Sequence, residues 1–218
     1  MPPSTLSPND AVCELLRRVE ITGKARYHAA RRMAAHGWFS QWTLALLAVG
    51  QIVISLASAV DVRTNFCPSY IGFASVFFGV LVLAYSLLLG MTNFSSRGVK
   101  LHTCGLELGR LARELTLLCR TGTGTKDAYD VAYERYYDIL DKHENHTRTD
   151  YLVAHYEYYD AEAAQLTFGS RDWIIERLRL LGVRLKLYFF HLLQFSHYVL
   201  SVTLISVWIY FLVGPAYG

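Results

Sequence analysis

Three long stretches of this chain, Trp42 to Val60, Tyr70 to Met91 and Tyr188 to Val213, contain no Asp, Glu, Lys or Arg. A helix rises about 1.5 Å per residue and the hydrocarbon core of a bilayer is roughly 30 Å thick, so each stretch can cross it. The expectation is a membrane protein. The first stretch carries Gln51 as its strongly polar side chain, and the second ends where Asn93, Ser95, Ser96 and Arg97 restore polarity. The third includes His191, Gln194 and His197 near its start. An uncharged histidine costs far less than the roughly 2.5 to 3.5 kcal/mol of a central Arg or Asp, and Leu192 to Val213 alone is long enough to span. Polar and amphipathic sequence fills the chain up to Phe39, where a secretory signal would need its apolar stretch, so no cleaved signal is expected.

Lysine and arginine beside the spans set the expected orientation, because cationic flanks resist translocation. Arg17, Arg18, Lys24, Arg26, Arg31 and Arg32 precede the first span, and Arg97, Lys100, Arg110 and Arg113 follow the second. Both flanks therefore read as cytoplasmic, joined by a short external turn over Asp61 to Ser69. Arg171, Arg177, Arg179, Arg184 and Lys186 precede the third span, which should run outward and leave Gly214 to Gly218 outside. In a bacterium this places the chain in the inner membrane.

The net charge of +3 conceals an uneven distribution: the membrane flanks are basic, while Asp127 to Glu162 is strongly acidic. An acidic helix packed near basic helices, or basic residues against anionic head groups, accounts for this better than a nucleic-acid surface, because no compact Lys/Arg run is interleaved with aromatics. Cys13, Cys67, Cys104 and Cys119 have neither CxxC nor metal-finger spacing, and no intrachain disulfide framework is expected.

Outside the spans the pattern is helical. Val12, Leu15, Leu16, Val19, Tyr27 and Ala30 recur at three- and four-residue spacing after a start signal at Asn9 and Asp10, and Gly37 is a candidate bend. Val99, Leu101, Leu106, Leu108, Leu111, Leu115 and Leu118 extend an apolar face beyond the second span, until Gly122 and Gly124 break it. That glycine turn lacks the preceding strand, spacing and Lys-Ser/Thr ending of a phosphate loop. Tyr129, Tyr133, Tyr136, Tyr137 and Leu140 then form a stripe, and tyrosine in place of leucine suggests a half-wet seam. A polar break is expected around Thr167 to Ser170, with a basic interfacial helix over Arg171 to Leu187.

The expected fold class is an all-α membrane protein: a transmembrane helical hairpin with long cytosolic helical extensions and a third, C-terminal transmembrane helix. Its parts are a basic N-terminal helix (1–38), the hairpin (39–96), a cytosolic helical region (97–170), a basic juxtamembrane helix (171–187) and the third segment with its tail (188–218).

Several side chains on the spans share faces. Gln51, Ser55 and Ser58, and likewise Gln194, His197 and Ser201, are candidates to line a pore. Gly72, Ser75, Gly79, Ser86 and Gly90 form a small-residue stripe suited to close helix packing. His143 and His146 stand at i, i+3, but His-Glu-Asn-His is not the metalloprotease His-Glu-x-x-His, and no further ligand set has recognisable spacing. A turn fixed by Asn145, or a contact between protomers, is the preferred reading, and no metal or cofactor is expected. No serine elbow, paired cysteines or aspartate-rich metal motif supports enzymatic chemistry.

Asp138-Ile139-Leu140, then Glu144-Asn145-His146, then Asp150-Tyr151, on helices that follow a basic helix and a two-span hairpin, resembles the SLATT family, the SMODS- and SLOG-associating two-transmembrane effectors. Arg31 and Arg32 ahead of Trp38 fit the same outline, and the resemblance runs from Glu14 to Tyr159. It implies an oligomeric effector of a bacterial antiphage conflict system that opens a pore or damages the membrane so that the infected cell stops growing or dies. Tyr133, Tyr137, Glu144, Asn145, His146, Asp150 and Tyr151 then become candidates for gating or protomer contact. The form with Glu-Asn-His looks most like members encoded beside reverse transcriptases. Implied partners are the lipid bilayer, further copies of the chain, and a trigger: a reverse transcriptase, its nucleic-acid product, or a nucleotide second messenger. A non-conducting membrane scaffold that recruits such a partner is the alternative. The segment Tyr188 to Val213 departs from the two-span pattern.

Overall fold

The computed structural model describes residues 7–59, 68–163 and 171–213. Six helices account for them: α1 (Pro8–Ala59), α2 (Pro68–Thr92), α3 (Phe94–Thr121), α4 (Lys126–Asp141), α5 (Arg148–Ala163) and α6 (Arg171–Val213). Three helical stretches are long and apolar enough to cross a membrane, drawn from α1, from α2 with α3, and from α6. Of the external turn expected over Asp61 to Ser69, Pro68 and Ser69 belong to α2 and the rest lies outside the described residues, as do the polar break at Thr167 to Ser170 and the tail Gly214 to Gly218.

The helix ends follow from local chemistry. Ser7, rather than Asn9, caps α1: its Oγ accepts from the Asp10 N–H at 3.1 Å and donates to Asp10 Oδ2 at 2.7 Å, with Pro8 at the first helical position. Gly37 lies inside α1, which is helical over all 52 residues. A break falls at Asn93, whose φ of 46° is left-handed and which separates α2 from α3. Asparagine tolerates that region better than most side chains. Helix α3 ends in a Schellman arrangement, with Gly122 at φ 68° and the Thr123 N–H bonded to the Leu118 carbonyl at 3.2 Å. Thr125 then caps α4 by accepting from the Ala128 N–H at 3.2 Å.

The chain divides into two compact units, and α1 and α6 contribute residues to both. In the first, amphipathic unit (residues 1–34 and 95–188), the core is a seam of three helices. Helix α1 supplies Val12, Leu15 and Val19, α3 supplies Cys104, Leu108, Leu111 and Leu115, and α4 supplies Ala132, Tyr136 and Ile139. The alternating three- and four-residue steps keep each set on one face of its helix. Burying one such Leu or Ile contributes roughly 1.5 to 3 kcal/mol. A smaller cluster joins Ile21 and Ala25 of α1 to Ala154 of α5. Two expectations change here. Val99 and Leu106 do not belong to the buried face of α3, being 64% and 45% exposed, because Cys104 takes the position between Leu101 and Leu108. The tyrosine stripe also divides: Tyr136 is core and gives its hydroxyl to a 3.0 Å contact with Thr22 Oγ1, while Tyr133 and Tyr137 are exposed, their rings tilted at 54° with centroids 4.8 Å apart.

Cys13 and Cys119 are joined as a disulfide with Cα atoms 5.3 Å apart, which corrects the expectation of none. Their separation of 106 residues hides a pairing that arises only when the start of α1 packs beside the end of α3.

In the second, membrane unit (residues 35–94 and 189–218), Leu47, Ile54 and Ala57 of α1 meet Ile71, Ala74 and Phe78 of α2, and Ile205 of α6. Trp208 packs its ring edge-on to Phe78, with centroids 6.0 Å apart. Gly50 lets α6 approach closely, since a Cβ there would lie 2.3 Å from Ile205 Cδ1. The outward faces of all three helices carry large apolar side chains, among them Ile52, Leu56, Phe73, Val76, Leu192 and Leu200, each at least 60% exposed. A contiguous apolar surface of this kind suits lipid rather than water.

Candidate functional site

The polar groups of the membrane unit concentrate at one place. Gln51 Nε2 donates to the Ser75 carbonyl at 2.8 Å and to Ser75 Oγ at 3.1 Å, and Ser55 Oγ lies 3.1 Å from Ser75 Oγ. Residues read separately as pore-lining (Gln51, Ser55) and as helix-packing (Ser75) thus form one cluster, with Gly79 alongside, where an added Cβ would lie 3.7 Å from Gln51 Nε2. Gln51 Oε1 is buried and has no hydrogen-bond partner. The Ser58 side chain lies outside the described residues. Among the described residues, Gly72 and Gly90 face open space and Ser86 is exposed, while Ser75 and Gly79 meet α1 at Gln51.

On α6, Ser201 Oγ donates back to the His197 carbonyl at 2.8 Å, Gln194 is half-buried and His197 is exposed against the Tyr198 ring. Tyr198 holds the structural position. It is 4% exposed, and its hydroxyl lies 2.9 Å from His36 Nδ1 and 2.8 Å from Ser40 Oγ, while Phe195 stacks on His36. Sequence reasoning passed over all three residues. The available signal was the polar pair His36 and Ser40, one helical turn apart at the edge of an apolar run.

In the amphipathic unit, the connection from Lys142 to Thr147 between α4 and α5 carries the Glu144-Asn145-His146 sequence. Three polar residues of the signature each meet an arginine. Glu144 Oε2 accepts from Arg97 Nε at 2.9 Å, Asn145 Oδ1 accepts from Arg26 Nη2 at 3.2 Å, and Asp150 takes Arg32 in a two-pronged contact at 3.0 and 2.8 Å. Thr147 and Asp150 also form a capping box at the start of α5: the Thr147 N–H and hydroxyl donate to Asp150 Oδ2, and the Asp150 N–H donates to Thr147 Oγ1. Burial alone would push the Asp150 carboxyl up, but Arg32 and Thr147 outweigh it and hold the group below the usual carboxylate range.

The remaining members frame this connection. His146 stacks on Tyr151 with ring centroids 5.9 Å apart, and burial followed by the Arg26 charge depresses its basicity. His143 lies 3.6 Å from Glu107 on α3, so the two histidines do not converge on a common point through their bonded partners. His28 contacts Glu157, Arg135 contacts Glu114, and Arg177 contacts Asp160. Bases of α1 thus meet acids of α5 through His28–Glu157 and Arg32–Asp150, while the α3–α4 pair runs the other way, with its acid, Glu114, on α3. The partner of Asn145, Arg26, carried no sequence signal beyond being one of many flanking cations.

No curated protein and no solved structure matches the chain. A family model described as SMODS and SLOG-associating 2TM effector domain family 5 matches residues 10–213. The match takes in α6, so the segment after Tyr188 is part of the family domain rather than an addition to it. The chain belongs to this SLATT family of two-transmembrane effector domains of conflict systems.

Proposed function

We propose that the protein is an oligomeric effector in the bacterial inner membrane, with the amphipathic unit cytoplasmic, that opens a pore on activation and arrests or kills the infected cell. The observation that carries this reading is the Gln51 cluster. An amide oxygen buried without a partner in an apolar unit is costly, and hydrocarbon offers it nothing. An adjoining protomer or a column of water would supply the missing donor, and a ring of such amides around a symmetry axis would do both. Ser55 is exposed beside it and places a second polar group on the same face. The lipid-facing apolar rows would carry protomer contacts in the assembly. A closed and an open arrangement need differ by only a few kcal/mol for a trigger to switch between them.

The test is ion flux through purified protein reconstituted in liposomes, beside Ser55→Trp. The variant should assemble to the same size and lose conductance, whereas undiminished flux through an assembled variant would contradict the reading. A second reading, a non-conducting scaffold, draws on Val131, Tyr133 and Tyr137, which stand 67%, 37% and 43% exposed on α4. Such a face suits a protein partner, for which a reverse transcriptase or its nucleic-acid product is one candidate and a nucleotide second messenger acting as trigger another. The scaffold predicts recruitment without flux.

A further inference from the structure

Among the described residues the largest fully buried side chain is a cation, Arg26. One of its nitrogens, Nη2, donates to Asn145 Oδ1 at 3.2 Å, while Nε and Nη1 have no hydrogen-bond partner. The neighbouring carboxylates are engaged elsewhere: Asp150 with Arg32 and Thr147, Glu144 with Arg97, and Glu107 with His143. His146, next to Asn145 in the same turn and within electrostatic reach of Arg26, also has a buried ring nitrogen, Nδ1, without a partner. A buried guanidinium with no counter-charge is strongly unfavourable, and so is a buried imidazole nitrogen with nothing to bond. Asn145, which accepts from Arg26 and precedes His146, is exposed and lies on the connection between α4 and α5.

We propose that Arg26, Asn145 and His146 form a phosphate-binding site, closed in this structure by Asn145. When Asn145 swings out, the guanidinium offers donors to a charged oxygen, and the amide can donate from its nitrogen in place of accepting. A phosphate dianion suits the site better than a carboxylate. It neutralises both Arg26 and the proton that His146 takes up to become a second donor, whereas a carboxylate neutralises only one of them. Free phosphate and the phosphate of a small monoester present the same oxygens. The site stands whether or not the assembly conducts ions.

The experiment uses the full chain in detergent micelles at constant ionic strength set with potassium chloride. Inorganic phosphate and adenosine monophosphate are titrated separately, with apparent Tm and amide exchange over residues 142–150 as readouts. A saturable rise of roughly 5 to 10 °C is expected at a hundredfold excess over the dissociation constant, with slowed exchange in the turn. Asn145→Asp places a carboxylate against Arg26, so its ligand-free Tm should exceed that of the unaltered chain and its response to phosphate should vanish. Arg26→Met should likewise not respond; if it fails to fold, Asn145→Asp decides alone. Saturation by the monophosphate at lower concentration identifies a phosphorylated small molecule as the ligand, and the reverse order identifies free phosphate. A response no larger than that to chloride, or an equal response in Asn145→Asp, would overturn the proposal.

Discussion

Asp150→Asn is the substitution whose consequence can be worked out most fully. The carboxylate and its partner Arg32 are 4% and 12% exposed at their side chains, and they meet through two short contacts. Removing one member of a buried pair commonly costs about 3 to 5 kcal/mol, because the other charge stays behind without compensation. Asparagine keeps one oxygen that can still accept from Arg32 or from Thr147, which moves the expectation below that range, to about 2 to 3 kcal/mol. In a chain of this size each kcal/mol corresponds to about 2 to 4 °C, so the apparent Tm should fall by roughly 5 to 10 °C. The assay is thermal unfolding in detergent followed by far-ultraviolet circular dichroism, with Arg32→Met and the double variant completing a cycle. Because the two side chains act as one unit, the double variant should lose clearly less than the sum of the singles. A fall of under about 2 °C for Asp150→Asn, or strict additivity, would refute the claim that this pair fastens the start of α5 to α1.

The same pair sets a pH dependence. Asp150 is held below its usual range when folded, so its contribution is fully present above the ordinary carboxylate pKa of about 3.9 and is lost as pH falls through the lower folded value. The Tm gap between the unaltered chain and Asp150→Asn should be constant above about pH 5 and close as the solution is acidified further; a gap that widens in acid would reverse the sign. Gly50→Val should destabilise the membrane unit by at least about 1 to 3 kcal/mol, because its Cβ would meet Ile205 at 2.3 Å, and Ile205→Ala on the same chain should recover part of the loss. Unfolding in the denaturant sodium dodecyl sulfate reads both. Tyr198→Phe removes the hydroxyl shared by His36 and Ser40 and should cost about 1 to 3 kcal/mol in that assay, while His197→Ala, one residue away and exposed, should be close to neutral.

How far the fold was legible depended on whether one helix or two had to be considered. The spans were plain because the absence of charge over a bilayer's thickness is a property of a single segment, and the Gly122 turn was plain because its φ requirement is local. The capping boxes at Ser7 to Asp10 and Thr147 to Asp150 were equally local and could have been read from their spacing. The partner of Asn145 was not, since nothing in the sequence distinguishes Arg26 from Arg31 or Lys24 until α1, α3 and the α4 to α5 connection pack around it. Cys13 with Cys119, and Gly50 against Ile205, share that character: each needs two distant helices placed side by side. The tyrosine stripe was legible as a half-wet seam but not ring by ring, because only the position of α1 decides that Tyr136 turns inward while Tyr133 and Tyr137 stay more exposed.

The central claim, that this family member acts by making the membrane leak through the Gln51 cluster, is tested most directly by following membrane potential during controlled expression in a bacterium carrying its native neighbouring genes. The chain and Gln51→Leu would be compared at matched membrane abundance. The account predicts depolarisation that precedes loss of viability and is weakened by Gln51→Leu. Arrest with an unchanged potential, or equal depolarisation by both chains, would contradict it.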